Sequence, residues 1–403
     1  MGKIILKLFL FVTVFLAVQC TSTTEKDISN EEGISVDTID IVDTEKVIND
    51  SINAILSELN ADEKAKQFHK YFRHLNRAGI FNGNVLVAQK GVVIYKECFG
   101  YCDLRKKDSL CIDSRFQIAS VSKQFTAVAI MQLVERGLIN YTDTIQKFFP
   151  EFPYKDITIH MLLTHKSGLP NYIYLCDHYF THKDSAVYND QAIKCLEEKH
   201  PPRYYRPGRR FNYSNTGYMV LSSIVSKVSG MPFEDYMAKN VFEPLGMDNT
   251  FIYVKGKNKL PENIAVGYET RRRKADNIFL NGVTGDKGVY STIEDLYKWD
   301  QGLYKNKIIQ YSTLEQAFQP MGKRKWAHKN YGYGWRMYNS KNAGKVLYHA
   351  GWWYGYQSLL VRLEKDESTI VVLKNKKTRG IIDQGRLFSI LYPKQSIAGK
   401  SSI

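Results

Sequence analysis

The chain has 403 residues, 44% of them hydrophobic and 13% aromatic, which excludes a disordered protein and supplies apolar surface for one or two sizeable domains. Its formal net charge of +15 is unevenly spread: residues 20–63 hold 12 acidic and 2 basic side chains, whereas the chain beyond residue 63 carries a net +23. A basic body is drawn to anionic polymers and headgroups, but nucleic acid is disfavoured as a partner because the basic runs at 271–274 and 323–325 lack interleaved aromatics that would stack on bases.

The first nineteen residues, MGKIILKLFLFVTVFLAVQ, place two lysines ahead of an apolar run of secretory-signal length. Cys20 follows at once, with the polar stretch TSTTEKD behind it. That is where a bacterial lipoprotein carries its lipid-modified cysteine, although Gln19 stands where such leaders have a small residue. An uncleaved single-span anchor, or a signal cut by an ordinary peptidase, fits the same pattern. All three place the body outside the inner membrane, and the lipid-anchored reading puts it in the cell envelope, on the periplasmic or outer surface.

Residues 21–45 are polar and acidic with few large apolar side chains, the composition of a flexible tether. Val47, Ile52, Ile55, Leu56, Leu59, Phe68, Phe72 and Leu75 then recur at helical spacing. The division expected is therefore a signal at 1–19, an acidic tether running into a leading helix at 20–63, a globular body at 64–393 and a tail at 394–403.

The period changes at 84–88 and 92–95, two β-branched runs separated by Gln89-Lys90-Gly91, which predict a β-hairpin. Residues 120–136 predict a helix apolar on nearly every face, hence buried. From about 140 to 330 helices dominate, among them 218–228, 233–241 and 293–302. Strand patterns return at 331–338, 346–349, 356–363 and 369–373, followed by a closing helix at 379–391. Strands at both ends of the body around a helical block imply an α+β fold, one antiparallel sheet flanked by helices with a mostly helical subdomain inserted.

Six cysteines occur. If Cys20 is lipidated, an odd five remain, so at least one stays unpaired within the chain. Cys98 and Cys102 are about 13 Å apart along a strand, too far to bridge, while Cys102 with Cys111 and Cys176 with Cys195 are compatible with loop closure in an oxidising compartment. The nine histidines show no metal-ligand spacing, and neither C-x-x-C nor H-E-x-x-H occurs, so no metal is expected.

The stretch FQIASVSKQFTAVAIMQLVERG, residues 116–137, carries the chemistry. With a helix starting at Ser120, Lys123 comes back to the same face almost one turn later, whereas Ser122 points elsewhere. A serine hydroxyl needs a base to attack, and a lysine kept neutral by burial can serve. Two further motifs follow in order: Tyr213-Ser214-Asn215 and His349-Ala350-Gly351. Together with ITIHMLLTHKSGLP, GDKGVYSTIEDLYKWDQGLY and NYGYGW, this set resembles the serine β-lactamase and penicillin-binding family, class C branch, with its S-x-x-K, Y-x-N and K-T-G or H-x-G motifs. The resemblance covers about residues 83–375. It implies the β-lactamase/transpeptidase-like fold and a covalent acyl-enzyme route without metal or organic cofactor.

The resemblance also implies roles: Ser120 as nucleophile, Lys123 as its base, Tyr213 as proton relay to the leaving group, and Asn215 as a hydrogen-bonding partner of Lys123 or of the substrate amide. The N–H groups of Ser120 and Trp352 form the oxyanion hole, and Gly351 leaves room for substrate beside the strand. His349 replaces the permanent cation of K-T-G with a ring mostly neutral near pH 7, which weakens the case for efficient β-lactam hydrolysis. Trp352, Trp353, Tyr354 and Tyr356 are either an aromatic wall to the substrate pocket or core aromatics. The expected substrates are small amides, peptides or esters, peptidoglycan stem peptides among them. A D-alanyl-D-alanine-type peptidase or a carboxylesterase ranks ahead of a β-lactamase. A sensor acylated once and not turned over is the rival from outside the enzymes.

Overall fold

A computed structural model describes residues 41–270, 273–322, 330–378 and 382–393. The expected signal, Cys20 and the tail at 394–403 lie outside the described residues. The chain divides into two units, 1–48 and 49–403. The described part of the first is the opening of helix α1, Ile41–Glu58; the second holds the rest of that helix and every other described element.

Seven strands form one sheet: β1 (Gly83–Gln89), β2 (Val92–Phe99), β3 (Asn330–Tyr331), β4 (Arg336–Ser340), β5 (Gly344–Trp353), β6 (Tyr356–Leu363) and β7 (Ser368–Lys374). Their order across the sheet is β2-β1-β7-β6-β5-β4-β3, and every neighbouring pair runs antiparallel. Strands β1, β6 and β7 are buried along their whole length, which explains why they read as continuous apolar runs rather than alternating ones.

The two-residue alternation of strand side chains sorts these runs into two layers. Val85, Val87, Leu359, Val361, Ile370 and Val372 face one way, onto Phe68 and Phe72 of helix α2 (Ala61–Arg77) and onto Leu387 and Phe388 of the closing helix Gln384–Leu391. Leu86, Ala88, Leu360, Val371 and Leu373 face the other way. There they meet helix α3 (Ser122–Glu135), helix α5 (Ile293–Tyr304) and the helical block that includes α4 (Asn215–Ser229). The expected α+β architecture is the one observed. Helix α3 is buried from Ser122 through Leu133, the all-round apolarity of its sequence being that of a core helix.

The sequence pattern at 331–338 predicts one strand, but β3 and β4 are separate. Gly334, with φ +86°, lies where a Cβ would come within 3.0 Å of Ala127, Gln124 and the Lys123 carbonyl. The chain turns there to press against α3, which no side chain larger than hydrogen would allow.

Candidate active site

Ser120 sits in a tight 3-10 turn, Ala119–Val121, that runs directly into α3. Ala119 holds φ +49°, a left-handed conformation that costs a non-glycine residue of order 1 kcal/mol. Lys123, fully buried, directs its Nζ to Ser120 Oγ at 3.2 Å and to the Asp286 carbonyl oxygen at 2.8 Å. Ser122 points away, as the spacing predicts, and its Oγ accepts the Val289 N–H. With Thr126 donating to the Gly285 carbonyl at 2.7 Å, three bonds tie α3 to the loop 285–289.

The second motif arrives at the start of α4. Ser214 caps that helix, its Oγ accepting the Gly217 N–H, so that Tyr213 precedes the helix and Asn215 begins it. The Tyr213 ring centroid lies 5.0 Å from Lys123 Nζ. Asn215 Oδ1 is buried without a hydrogen-bond partner, an unmade bond that costs about 1–3 kcal/mol unless a ligand completes it.

The third motif lies on β5. His349 and Gly351 share the alternation of Leu347 and so face the helical block. His349 is fully buried; its Nδ1 bonds the Ala350 carbonyl at 2.9 Å and its Nε2 bonds the Tyr331 hydroxyl at 3.1 Å. Both ring nitrogens of this residue, expected at the substrate, are thus engaged within the protein. Burial, the Arg336 guanidinium and Lys123 together hold its pKa well below the usual 6.5, so the ring is neutral. Gly351 also differs from expectation. A Cβ there would run into the Ile118 carbonyl and lie 2.9 Å from the Ser120 amide nitrogen, so the space a side chain would need is filled by the nucleophile turn, not left for substrate.

Strand β4 pairs with β5 only from Gly344 to Tyr348, whereas β6 pairs with it from Val346 to Trp353. The stretch 349–353 therefore has a strand neighbour on one side alone. Trp352 is 46% exposed, with Lys377 Nζ 4.4 Å over its ring. Trp353 is buried, its indole N–H donating to Asn281 Oδ1, and Tyr356 is a core residue bonded to the Ala265 carbonyl. Of the four aromatics, Trp352, Trp353 and Tyr354 line a cavity of about 310 Å³ together with Ser120, Asn215, Asn171, Tyr174, Asp286 and Lys287.

Asp286 and Lys287 open the segment GDKGVYSTIEDLYKWDQGLY, but the resemblance carried by that segment assigns neither of them a role. Lys287 Nζ donates to the Tyr172 hydroxyl at 2.7 Å and to Asp286 Oδ1 at 3.3 Å, while the Tyr172 hydroxyl lies 3.1 Å from Asp286 Oδ2. Burial pulls the Lys287 pKa down against the opposing pull of Asp286, and burial with Asp286 pushes the Tyr172 pKa well up. Arg336 escapes the sequence reading too; its guanidinium lies 5.1 Å from the Tyr213 ring and 5.8 Å from the Tyr331 ring. Among the described residues no cluster suits a metal ion, and Cys98, Cys102, Cys111, Cys176 and Cys195 are free thiols.

The chain is 34% identical over 331 residues to penicillin-binding protein 4* of Bacillus subtilis, covering 78% of this chain and 72% of that one. Among solved structures, a penicillin-binding protein from Bacillus halodurans superposes with TM-score 0.69 at 25% identity, over 79% of this chain and 97% of that one. A D-amino acid amidase from Ochrobactrum anthropi shares the fold, with TM-score 0.66 at 21% identity over 83% of this chain and 99% of that one. The beta-lactamase family model matches residues 65–387, and the chain belongs to that family of penicillin-binding-protein-like serine hydrolases.

Proposed function

We propose that the protein forms an acyl-enzyme at Ser120 with small amides, peptides or esters and hydrolyses it, as a D-alanyl-D-alanine-type peptidase or a carboxylesterase. The observation that carries this reading is Lys123 Nζ, buried and held between Ser120 Oγ and the Asp286 carbonyl beneath a cavity that Asn215 and Trp352 also line. Lys123 takes the Ser120 proton as the Oγ–C bond forms. The N–H groups of Ser120 and Trp352 receive the negative charge that develops on the substrate oxygen. Asn215 Oδ1 accepts a substrate N–H, and Tyr213 delivers the proton to the leaving group; water then cleaves the acyl-serine.

Neutral, internally bonded His349 offers no cation to a β-lactam carboxylate, which ranks β-lactamase action below peptidase or esterase action. Export and a lipid anchor at Cys20 complete the reading and place the body against cell-envelope substrates, the basic charge of the body being consistent with that location.

The test is the intact mass of the full-length chain after treatment with a fluorophosphonate, beside Ser120→Ala, followed by turnover of an activated ester in excess. One adduct on the parent alone, with continuing turnover, is expected. No adduct on the folded parent would overturn the nucleophile assignment. A burst of one equivalent with no further product would replace the hydrolase by a sensor acylated once.

A further inference from the structure

We infer that His165 is a positioning residue for Tyr213, a clamp that fixes the phenol against Lys123; the inference rests on the relay role proposed above for Tyr213. His165 follows the short helix Ile159–Leu163 and is fully buried. Two backbone N–H groups, one on each side of Tyr213, bond to this single residue. The Asn212 N–H donates to the His165 carbonyl at 2.8 Å, and the Ser214 N–H donates to His165 Nδ1 at 3.0 Å. The imidazole then packs directly on the residue between them, its centroid 4.3 Å from the Tyr213 ring at an interplanar angle of 41°.

His165 makes these contacts from φ +56°, a left-handed backbone that a histidine adopts at a cost. In that conformation its carbonyl and its ring both address the 212–214 segment. Because Nδ1 accepts, the ring is the neutral tautomer with its proton on Nε2. Nε2 is buried without a hydrogen-bond partner, among the rings of Tyr331, Tyr218 and Phe211 at 4.4, 5.1 and 5.7 Å. Burial, with Lys123, His349 and Arg336 nearby, holds the ring's pKa well below its usual value, consistent with the tautomer the geometry demands. A histidine serving only to fill the core would not require a strained backbone, an orphaned N–H and an acceptor aimed at one amide. The gain is a phenol whose main chain is pinned on both sides, and a displacement of about 1 Å at a relay group costs on the order of 100-fold in rate.

The experiment uses the full-length chain and an activated ester, with kcat and KM measured for four variants: His165→Gly, His165→Asn, Tyr213→Phe and the His165→Gly/Tyr213→Phe pair. Glycine accepts the left-handed backbone but removes the Nδ1 acceptor. Asparagine tolerates the same backbone and places Oδ1 near the Nδ1 position. We expect His165→Gly to lower kcat about 100-fold with KM little changed, and His165→Asn to stay within about threefold of the parent. In the Tyr213→Phe background His165→Gly should cost less than about threefold more, because the group it positions is already gone. Equal losses in both backgrounds, or an asparagine variant as slow as glycine, overturn the clamp while leaving the Tyr213 relay standing. A Tyr213→Phe chain with undiminished kcat overturns the relay and the clamp with it. If the glycine variant does not fold, His165→Leu, which refills the space without an acceptor, takes its place with the same expectations.

Discussion

At the scale of single residues, the site separates groups that face the cavity from groups that hold them. His349 belongs to the second kind, and its cost is measurable as a pH dependence. Its folded-state pKa lies well below the usual 6.5, so between those values the unfolded chain binds the proton and the folded one does not. Stability is therefore intact above about pH 6.5, is lost as pH falls toward the folded value, and then levels off. His349→Gln, which keeps an acceptor toward the Tyr331 hydroxyl, should flatten the dependence of the melting temperature on pH over that window by about one proton's worth; an unchanged slope would mean the ring is not kept neutral. Arg336, on the strand beside the third motif, sets a guanidinium 5.1 Å from the Tyr213 ring, and the proposed function predicts that it takes over the binding of a substrate carboxylate from the cation that His349 does not supply. Arg336→Gln should lower kcat/KM for peptides ending in a free carboxylate about tenfold or more while changing neutral ester turnover little, a contrast read from parallel steady-state assays. Equal losses on both substrates would assign Arg336 to support of Tyr213 instead.

At the scale of elements, the nucleophile turn and strand β5 are fitted to each other at Gly351. Gly351→Ala puts a methyl group against the Ile118 carbonyl and the Ser120 amide, so either the turn or the strand must give way. Overpacking of this kind costs about 1–3 kcal/mol, and because the displaced atoms include the proposed oxyanion donor, fluorophosphonate labelling should slow about 100-fold or more. Normal labelling with normal stability in denaturant would show that the turn yields without consequence.

The same elements explain what is legible in the sequence. Strands β1, β6 and β7 and helix α3 are legible because burial on both faces writes a continuous apolar run, and Ser120 with Lys123 and Tyr213 with Asn215 because each pair has a short fixed spacing, the two pairs being joined in the sequence only by the family resemblance. Strands β3 and β4 merge in the sequence pattern because the break depends on Gly334 meeting α3, a contact invisible to periodicity. Asp286, Lys287 and His165 fall within segments that carry the resemblance, but their roles, like that of Tyr172, escape sequence reasoning for a related reason. Each stands alone on a loop or at a helix end, and it is the meeting of distant segments, Tyr172 with Lys287 for instance, that gives them partners. The neutrality of His349 is legible from its residue type, but its withdrawal from the cavity is not, since that depends on Tyr331 arriving on another strand.

At the scale of the whole molecule, the net +23 beyond residue 63 predicts a surface association separable from any anchor. A full-length Cys20→Ala chain should sediment with anionic lipid vesicles at low ionic strength and be released near 1 M salt, where the screening length falls to about 3 Å. If Cys20 carries the lipid proposed above, the parent isolated from its native membrane should remain bound at the same salt. Binding of the Cys20→Ala chain that survives high salt would point to apolar insertion rather than charge.

The pairing of the first strands with the last also governs when the molecule comes into being. Strand β1 finds its inner partner in β7, Gly83 opposite Lys374, so a nascent chain makes the nucleophile and its helix long before the strand that completes their platform. A chain still short of β7 lacks the strand that joins β1 and β2 to the rest of the sheet, and closing so long a loop makes folding slow. For a chain exported as proposed above, that delay keeps it unfolded until the last strand has crossed, and assembly of the fold becomes an event of the far side.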